Sequence, residues 1–400
     1  MSDEPEIKHR LRILIFRSAL LPISETFVWA QAEALRAFEP IYAGLTRVSS
    51  GLPRSAQTIL LSEGKGLSAR ILKWVYQVSG YGSGFEARVK QAEPVLIHAH
   101  FAVDGTVALS LARVLKLPLI VSLHGYDVTT RDSSFRRSLS GRLYLARRER
   151  LWEQAALFLC VSEFVRRKAL EAGFPEEKLL VHYTGVDVEQ FRELALERDG
   201  SVLFVGRLVE KKGCGYLLEA MASVCRSHPA TRLTVVGDGP LRAELESHAA
   251  RLHLPAEFLG AQTPSAVRER MARASVFCVP SVAAKNGDSE GFGLVFAEAQ
   301  AMGTPVVSFR HGGVPEAVAD GVTGLLVPER ATTELALALS RLLSDSGLWR
   351  SFSSAGVARI GKEISLAGQT RRLESIYASV AQGGVRRGKE AENEDRVAWR

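Results

Sequence analysis

Short apolar runs alternate along this chain with stretches whose apolar positions return every three or four residues. The runs read as buried strands and the stretches as amphipathic helices. Strands are predicted over residues 11–16, 94–99, 117–123, 157–161 and 178–182, with helices over 25–37, 106–116, 135–155 and 163–172. Ser24 is expected to cap the first of these helices. A polar stretch at 192–200 reads as a linker, after which the alternation resumes. Its strands are expected at 201–205, 232–236, 257–259, 276–279, 304–308 and 324–327, and its helices include 216–227 and 296–302. Runs this short between helices imply parallel sheets covered on both faces. The chain therefore reads as α/β, with two doubly wound domains whose clefts lie outside the carboxyl ends of the strands. Residues 1–192 make the first domain and 193–364 the second, with a helix over about 365–381 packed back on the first. Residues 383–400 are charged and without period, and read as a disordered tail.

Composition narrows the class. A chain of 400 residues with 46% hydrophobic and 24% charged content suits a globular enzyme with two cores. No apolar run is long enough to cross a bilayer, and no secretory leader is read at the start. Cys160, Cys214, Cys225 and Cys278 have neither metal nor redox spacing, and are expected to be reduced and buried in a cytoplasmic protein. The net charge of +7 is partly concentrated. Arg131, Arg136, Arg137, Arg142, Arg147, Arg148 and Arg150 face only Asp132 and Glu149, with Leu139, Leu143, Leu145, Leu151 and Trp152 interleaved. This segment is either a solvated helix face packed on the core or a surface attracted to anionic lipid or a lipid-phosphate substrate. No nucleic-acid motif accompanies the charge.

The chemistry concentrates at residues 288–305. Glu290 is followed by Gly291, Phe292 and Gly293, and a second carboxylate, Glu298, lies about two helical turns beyond it. If Glu290 sits at the mouth of the helix, the free N–H groups of Gly293, Leu294 and Val295 point into the same space, as in anion sites. Carboxylates repel phosphate but accept hydrogen bonds from hydroxyls, as on sugars. Phosphate and polyol together suggest a nucleotide-sugar. The turn Gly206-Arg207-Leu208-Val209-Glu210-Lys211-Lys212-Gly213 follows a predicted strand, and Arg207 and Lys212 are placed to neutralise a diphosphate. Glu210 and Lys211 are read as solvated turn residues. His98 and His100 share one strand face, but no third metal ligand of suitable spacing accompanies them. Gly237-Asp238-Gly239-Pro240 lacks the three-glycine spacing of a dinucleotide fingerprint.

These motifs, with Gly303-Thr304-Pro305-Val306-Val307-Ser308 and Gly312-Gly313-Val314-Pro315-Glu316, resemble in this order family 4 of the glycosyltransferases. The resemblance implies the GT-B fold, two Rossmann-like domains facing a central cleft, and transfer with retention. It implies that Glu290 contacts donor sugar hydroxyls, that Glu298 binds the ribose, and that Arg207 and Lys212 neutralise the pyrophosphate. Gly206 and the amides of Phe292, Gly293 and Leu294 join this donor site. In the first domain, Ser122-Leu123-His124-Gly125-Tyr126-Asp127 places His124 near the donor sugar by resemblance, while Asp127 either orients it, contacts the acceptor or caps a turn. Cys160-Val161-Ser162-Glu163 and Gly185-Val186-Asp187 also match, although Thr184 stands where many members have asparagine. Where members often have a Gly-Gly turn, this chain has Leu21-Pro22-Ile23-Ser24-Glu25-Thr26-Phe27. That element, the loop at 280–288 and the His182 motif resemble transferases of bacterial exopolysaccharide assembly, of the colanic-acid type. Ser24, Glu25 and Thr26 are then expected to meet phosphate or acceptor hydroxyls, or to start the helix.

The resemblance implies transfer of a hexose from a UDP- or GDP-linked donor to a hydroxyl of a glycan or lipid-linked oligosaccharide, without a metal or other cofactor. The place of action is the cytoplasm, with the arginine-rich segment touching the inner face of the plasma membrane. Two other readings stay open on sequence alone: a sugar-nucleotide epimerase of GT-B shape, and a non-catalytic scaffold.

Overall fold

The computed structural model describes residues 10–20, 22, 25–48, 57–64, 66–82 and 84–383. Ser24 and residues 384–400 of the expected tail lie outside them. The first domain contains β1 (Leu11–Phe16), β2 (Ala19–Leu20), β3 (Phe38–Gly44), β4 (Thr46–Arg47), β5 (Thr58–Leu60), β6 (Pro94–His100), β7 (Leu119–Leu123), β8 (Leu157–Cys160) and β9 (Leu179–Val181). Apart from the small β2-β4 pair, these form one sheet in the order β5-β3-β1-β6-β7-β8-β9. Its pairings are all parallel. The second domain contains β10 (Val202–Val205), β11 (Leu233–Val236), β12 (Ala256–Phe258), β13 (Val276–Cys278), β14 (Val306–Phe309) and β15 (Gly324–Val327), in the order β12-β11-β10-β13-β14-β15. Ile13, Leu14, Ile15 and Phe16 are all buried, as a central strand covered on both faces requires.

In each sheet the order reverses at one strand, β1 in the first domain and β10 in the second. Such switch points open a crevice at the carboxyl ends of the strands. Arg17 leaves β1, His100 ends β6 and His124 follows β7, while Gly206 and Arg207 leave β10. The topology therefore delivers these residues to one gap between the domains. The last helix, Leu366–Ala381, packs on the first domain, where Leu373 and Tyr377 join Ile13, Ile15 and Leu96 in one buried cluster. At the crossover, the Val186 amide donates to Ile364 O at 2.8 Å and the Leu366 amide donates to Val186 O at 2.7 Å. A side chain at Gly185 would lie 2.4 Å from Leu366 Cα, so only glycine permits this close crossing.

Several expected elements differ in extent. The helix expected at 25–37 runs only Thr26–Glu33, because the amides of Arg36 and Ala37 donate to the Glu374 carboxylate at 2.6 Å each. The helix expected at 135–155 is broken into Asp132–Phe135 and Leu139–Gln154, with Ser138 Oγ accepting from the Gly141 amide at 3.1 Å. Strands β3 and β5 and the helices Leu67–Ser79 and Phe85–Gln91 escaped the periodicity reading. In β3, Glu39-Pro40 interrupts the apolar run, and proline is a poor predictor of an interior strand.

Candidate active site

A cavity of about 690 Å³ opens between the two domains. On the second-domain side it is lined by Arg207, Lys211, Lys212, Asp288, Glu290, Phe292, Gly293, Leu294, Val295 and Glu298. Gly293 has φ of 81° and starts the helix Leu294–Ala301; the Phe296 amide donates back to Gly293 O at 2.9 Å, and the N–H groups of Leu294 and Val295 remain for a ligand. Lys212 Nζ donates to Glu290 Oε2 at 2.5 Å, and Ser281 Oγ donates to the same oxygen at 3.2 Å. Burial alone would raise the Glu290 carboxyl. The charges of Lys212 and Lys211, with the Lys212 and Ser281 hydrogen bonds, overcome it and hold the group at about 2. Glu298 has the opposite fate. Burial pushes its carboxyl up to about 7, against weaker pulls from Lys212 and Arg268. Two carboxylates eight residues apart thus differ in protonation because only one has a close cation.

The first-domain wall contains Arg17, Glu25, Thr26, Phe27, Phe101, Asp104, His124, Tyr126, Ser138, Ser140 and Thr184. Arg17 donates to both Glu25 oxygens, at 2.6 and 2.8 Å, to His100 O at 3.1 Å, and to Asp104. Its guanidinium carbon stands 4.4 Å from the Phe101 ring centre. Two carboxylates around one guanidinium leave this corner without surplus positive charge, a setting that suits hydroxyls better than phosphate. The His124 ring lies between Phe27 and Phe101, and its Nε2 is 3.1 Å from His100 Nδ1. Burial, then the nearby Arg17 and His98, lower His124 to about 3. The imidazole facing the cavity is therefore neutral near pH 7.

The domains touch directly beside this cavity. Ser162 Oγ donates to Gly291 O at 2.5 Å. The Glu316 carboxylate of the second domain accepts the amides of Glu163 and Phe164 at 2.7 and 2.8 Å, and the Tyr183 hydroxyl at 3.1 Å. It thereby caps the first-domain helix Glu163–Glu171 from across the gap. A side chain at Gly291 would come within 2.2 Å of His124 O, so glycine there is a condition of domain contact.

Of the residues singled out from the sequence, His124, Arg207, Lys212, Glu290, Phe292, Gly293, Leu294, Glu298, Glu25 and Thr26 line one cavity. Three expectations need correction. Gly206 is not in the lining; it lies under the Lys212 side chain, and its carbonyl leaves no room for a side chain at Gly237. Asp127 is buried away from the cavity, with its oxygens accepting the Ala102 amide at 2.5 Å and the His124 amide at 2.8 Å. It braces the helix Ala102–Leu115 and the His124 turn and has no oxygen left facing an acceptor. Lys211 is no solvated turn residue: it lines the cavity and pairs with Asp288 at 2.9 Å.

Other groups were invisible to sequence reasoning. Arg17, Phe101 and the Ser138-Ser140 edge come from loops after strands or before a helix, and only the switch-point rule would have pointed to Arg17. His98 is packed, with Nδ1 2.6 Å from the Tyr377 hydroxyl and Nε2 2.8 Å from Ser122 Oγ. Among the described residues no cluster of three metal-ligating side chains occurs. The arginine-rich segment is split in use. Arg147 donates to Gln77 O and Val78 O at 2.7 and 2.6 Å, Arg148 pairs with Asp132 at 3.0 Å, and Arg142 donates to Arg136 O at 2.7 Å. Arg131, Arg136, Arg137 and Arg150 are exposed.

Two family models match the chain in tandem, one described as Glycosyltransferase Family 4 over residues 25–190 and one as Glycosyl transferases group 1 over residues 187–359. The amylovoran biosynthesis glycosyltransferase AmsK of Erwinia amylovora is 32% identical over 61% of this chain and 60% of its own. The putative colanic acid biosynthesis glycosyltransferase WcaL of Salmonella typhimurium is 29% identical over 70% of both. The chain thus spans between 60% and 70% of the length of these relatives. The solved structure of Anabaena HepE in complex with UDP and glucose shares the fold, with a TM-score of 0.72 at 21% identity over 93% of this chain and 100% of that one. With both halves matched in order and the cleft built from both, the chain belongs to the family 4 glycosyltransferases and has their two-domain GT-B architecture.

Proposed function

We propose that this protein moves a hexose from a UDP- or GDP-linked donor, with retention, to a hydroxyl of a glycan or lipid-linked oligosaccharide in exopolysaccharide assembly. The observation that carries this reading is the junction, in one cavity, of Arg207, Lys211, Lys212 and a helix N-terminus with the carboxylates Glu290 and Glu298. The first group suits a diphosphate and the second suits sugar and ribose hydroxyls. The related transferases named for amylovoran and colanic acid biosynthesis support the pathway class, and HepE, solved with UDP and glucose, supports the donor class.

As the glycosidic bond breaks, negative charge grows on the leaving pyrophosphate. Arg207, Lys212 and the amides of Gly293 and Leu294 stabilise it most in the transition state. Glu290 accepts hydroxyls of the transferred sugar, and Lys212 turns from Glu290 to the phosphate as the donor enters. His124, being neutral, exchanges hydrogen bonds with the sugar without repelling its electron-poor carbon. The departing phosphate helps take the acceptor proton. Positive side chains supply the charge that a divalent metal supplies elsewhere, so transfer proceeds without one. The arginine-rich segment 131–150 gives peripheral contact with an anionic membrane surface, where a lipid-linked acceptor is held.

A panel of nucleotide-sugars, assayed for donor hydrolysis and transfer in excess EDTA, tests this reading. One donor is expected to turn over undiminished by the chelator. Loss of activity restored by manganese would reject metal independence, and donor conversion to an isomer without acceptor would replace transferase by epimerase.

Glu298 makes a separate, pH-dependent prediction. Its folded value near 7 lies above the ordinary 4.5, so the protonated form is favoured in the folded protein. Its contribution to stability is full below about pH 4.5 and is lost as pH rises through 7. Glu298→Gln should therefore melt like wild type at pH 4.5 and higher at pH 8, by on the order of 3 kcal/mol in stability. A ribose hydroxyl prefers the carboxylate, so wild-type nucleotide affinity should rise from pH 6 to 8 and the variant's should stay flat. Isothermal titration at both pH values checks this, and equal slopes would exclude Glu298 from the ribose site.

A further inference from the structure

The helix Leu67–Ser79 has two apolar faces, and only one is packed. Ala69 and Tyr76 are buried, with Leu72 packed against the first-domain core. On the other side, Leu67 is 70% exposed, Ile71 54%, Trp74 52%, Val75 38% and Val78 39%, and Tyr81 just beyond is 70% exposed. Their spacing of three and four residues places them in one row along the helix. The helix contains Arg70 and Lys73 but no carboxylate. It is held in place at its end, where Arg147 donates to Gln77 O and Val78 O. Gly80 closes the helix against Ser110, and Val114, one turn past Ser110, is 60% exposed beside Arg113.

We propose that this row inserts into the surface of a bilayer containing anionic lipid, and that it is the principal membrane anchor of the protein. The shape supports a bilayer over a protein partner. The row covers about 100° of the helix surface and about 20 Å of its length, a convex face that lies flat in an interface and offers no pocket for anchor residues. Its residue types are those of interfacial helices, with Trp74 and Tyr81 at the water boundary and basic side chains on the flank. Arg136, Arg137 and Arg150, exposed on and before the neighbouring helix Leu139–Gln154, extend the positive surface. The arginine-rich segment thus assists, and the insertion belongs to a helix that its charge pattern did not reveal.

The placement also bears on the acceptor, and this step rests on the transferase reading. Ser138 and Ser140, at the start of the helix that Arg147 ties to the row, line the active-site cavity. The nine residue steps from Ser138 to Arg147 span about 14 Å of that helix, so a protein lying on its Leu67–Ser79 helix would hold the cavity mouth close above the anchor. A lipid-linked glycan could then reach the cleft without leaving its membrane.

The test is flotation of the full chain with phosphatidylcholine vesicles, with and without phosphatidylglycerol, for wild type and for Ile71→Gln/Trp74→Gln/Val78→Gln. These side chains are exposed, so melting temperature and transfer to a soluble acceptor should not change. Wild type is expected to float with the anionic vesicles, and the triple variant to lose at least ten-fold of that binding. A second variant, Arg136→Gln/Arg137→Gln, should lose the salt-sensitive part and retain the rest. Equal flotation of wild type and triple variant would overturn the proposal, as would a wild type that binds neither vesicle. A dimer in solution that the triple variant dissociates would overturn it in favour of a second copy of the chain. Transfer to the soluble acceptor, measured on the same preparations, reports on the enzymatic reading independently.

Discussion

Glu290→Gln is expected to lower kcat for transfer by about a thousand-fold while leaving affinity for the free nucleoside diphosphate within a factor of two or so, the loss typical of a transition-state contact. The amide keeps the volume and one acceptor oxygen but removes the charge that Lys212 and Ser281 hold in place. It should therefore bind nucleotide normally and misplace the sugar. Steady-state kinetics beside nucleotide titration separate the two effects. A variant with wild-type kcat would remove Glu290 from the site, and one that loses nucleotide affinity to the same degree would move its role from sugar to phosphate. The fold should survive, because the deleted charge has its partner Lys212 in a cavity open to water.

Lys212→Met should cost at least as much in kcat, on the order of 10²–10³, and should also weaken nucleoside diphosphate binding. Methionine keeps the stem that lies over Gly206 and removes only the charge. The second consequence is on stability. Glu290 would lose its nearest cation, and burial would then raise its carboxyl from about 2. A raised carboxyl contributes stability at low pH that fades as pH rises, while wild-type Glu290 loses its own only as pH falls from about 4.5 toward 2. The variant should therefore melt well below wild type at pH 8, with the gap narrowing at pH 5 and closing only in stronger acid. Breaking one side of a buried pair costs about 3–5 kcal/mol. Adding Glu290→Gln should recover most of that stability without recovering activity. Recovery of neither would mean that the pair is not coupled as described.

How much of this was readable before the fold depended on the kind of signal. Strands β1 and β15 match their expected bounds because a short, largely apolar run, residues 13–16 in β1 and 325–327 in β15, has one reading. The helix Leu294–Ala301 was placed within two residues of its start, since Gly293 marks the turn that begins it. Strand β3 was lost to Pro40, and the helix Leu67–Ser79 was missed although its apolar spacing is regular. Lys211 looked like any lysine in a turn until Asp288, seventy-seven positions away, met it. Asp127 had three open roles from the sequence, and the fold settled on bracing the His124 turn by giving its oxygens to backbone amides.

The α/β class, the two-domain plan and the second-domain cluster of Arg207, Lys212, Glu290 and Glu298 were determined by the sequence alone. Each depends on local spacing: apolar period, a glycine turn, and basic or acidic residues within a few positions of it. Only the tertiary structure decided the charge states and the first-domain wall. Glu290 is held ionised at about 2 because it lies against Lys212, while half-buried Glu298, without so close a cation, is pushed up to about 7. Arg17 meets Asp104 across 87 residues of chain, and Glu316 caps a helix of the other domain across 153. Distances in space set burial and Coulomb energy, and no spacing along the chain encodes them.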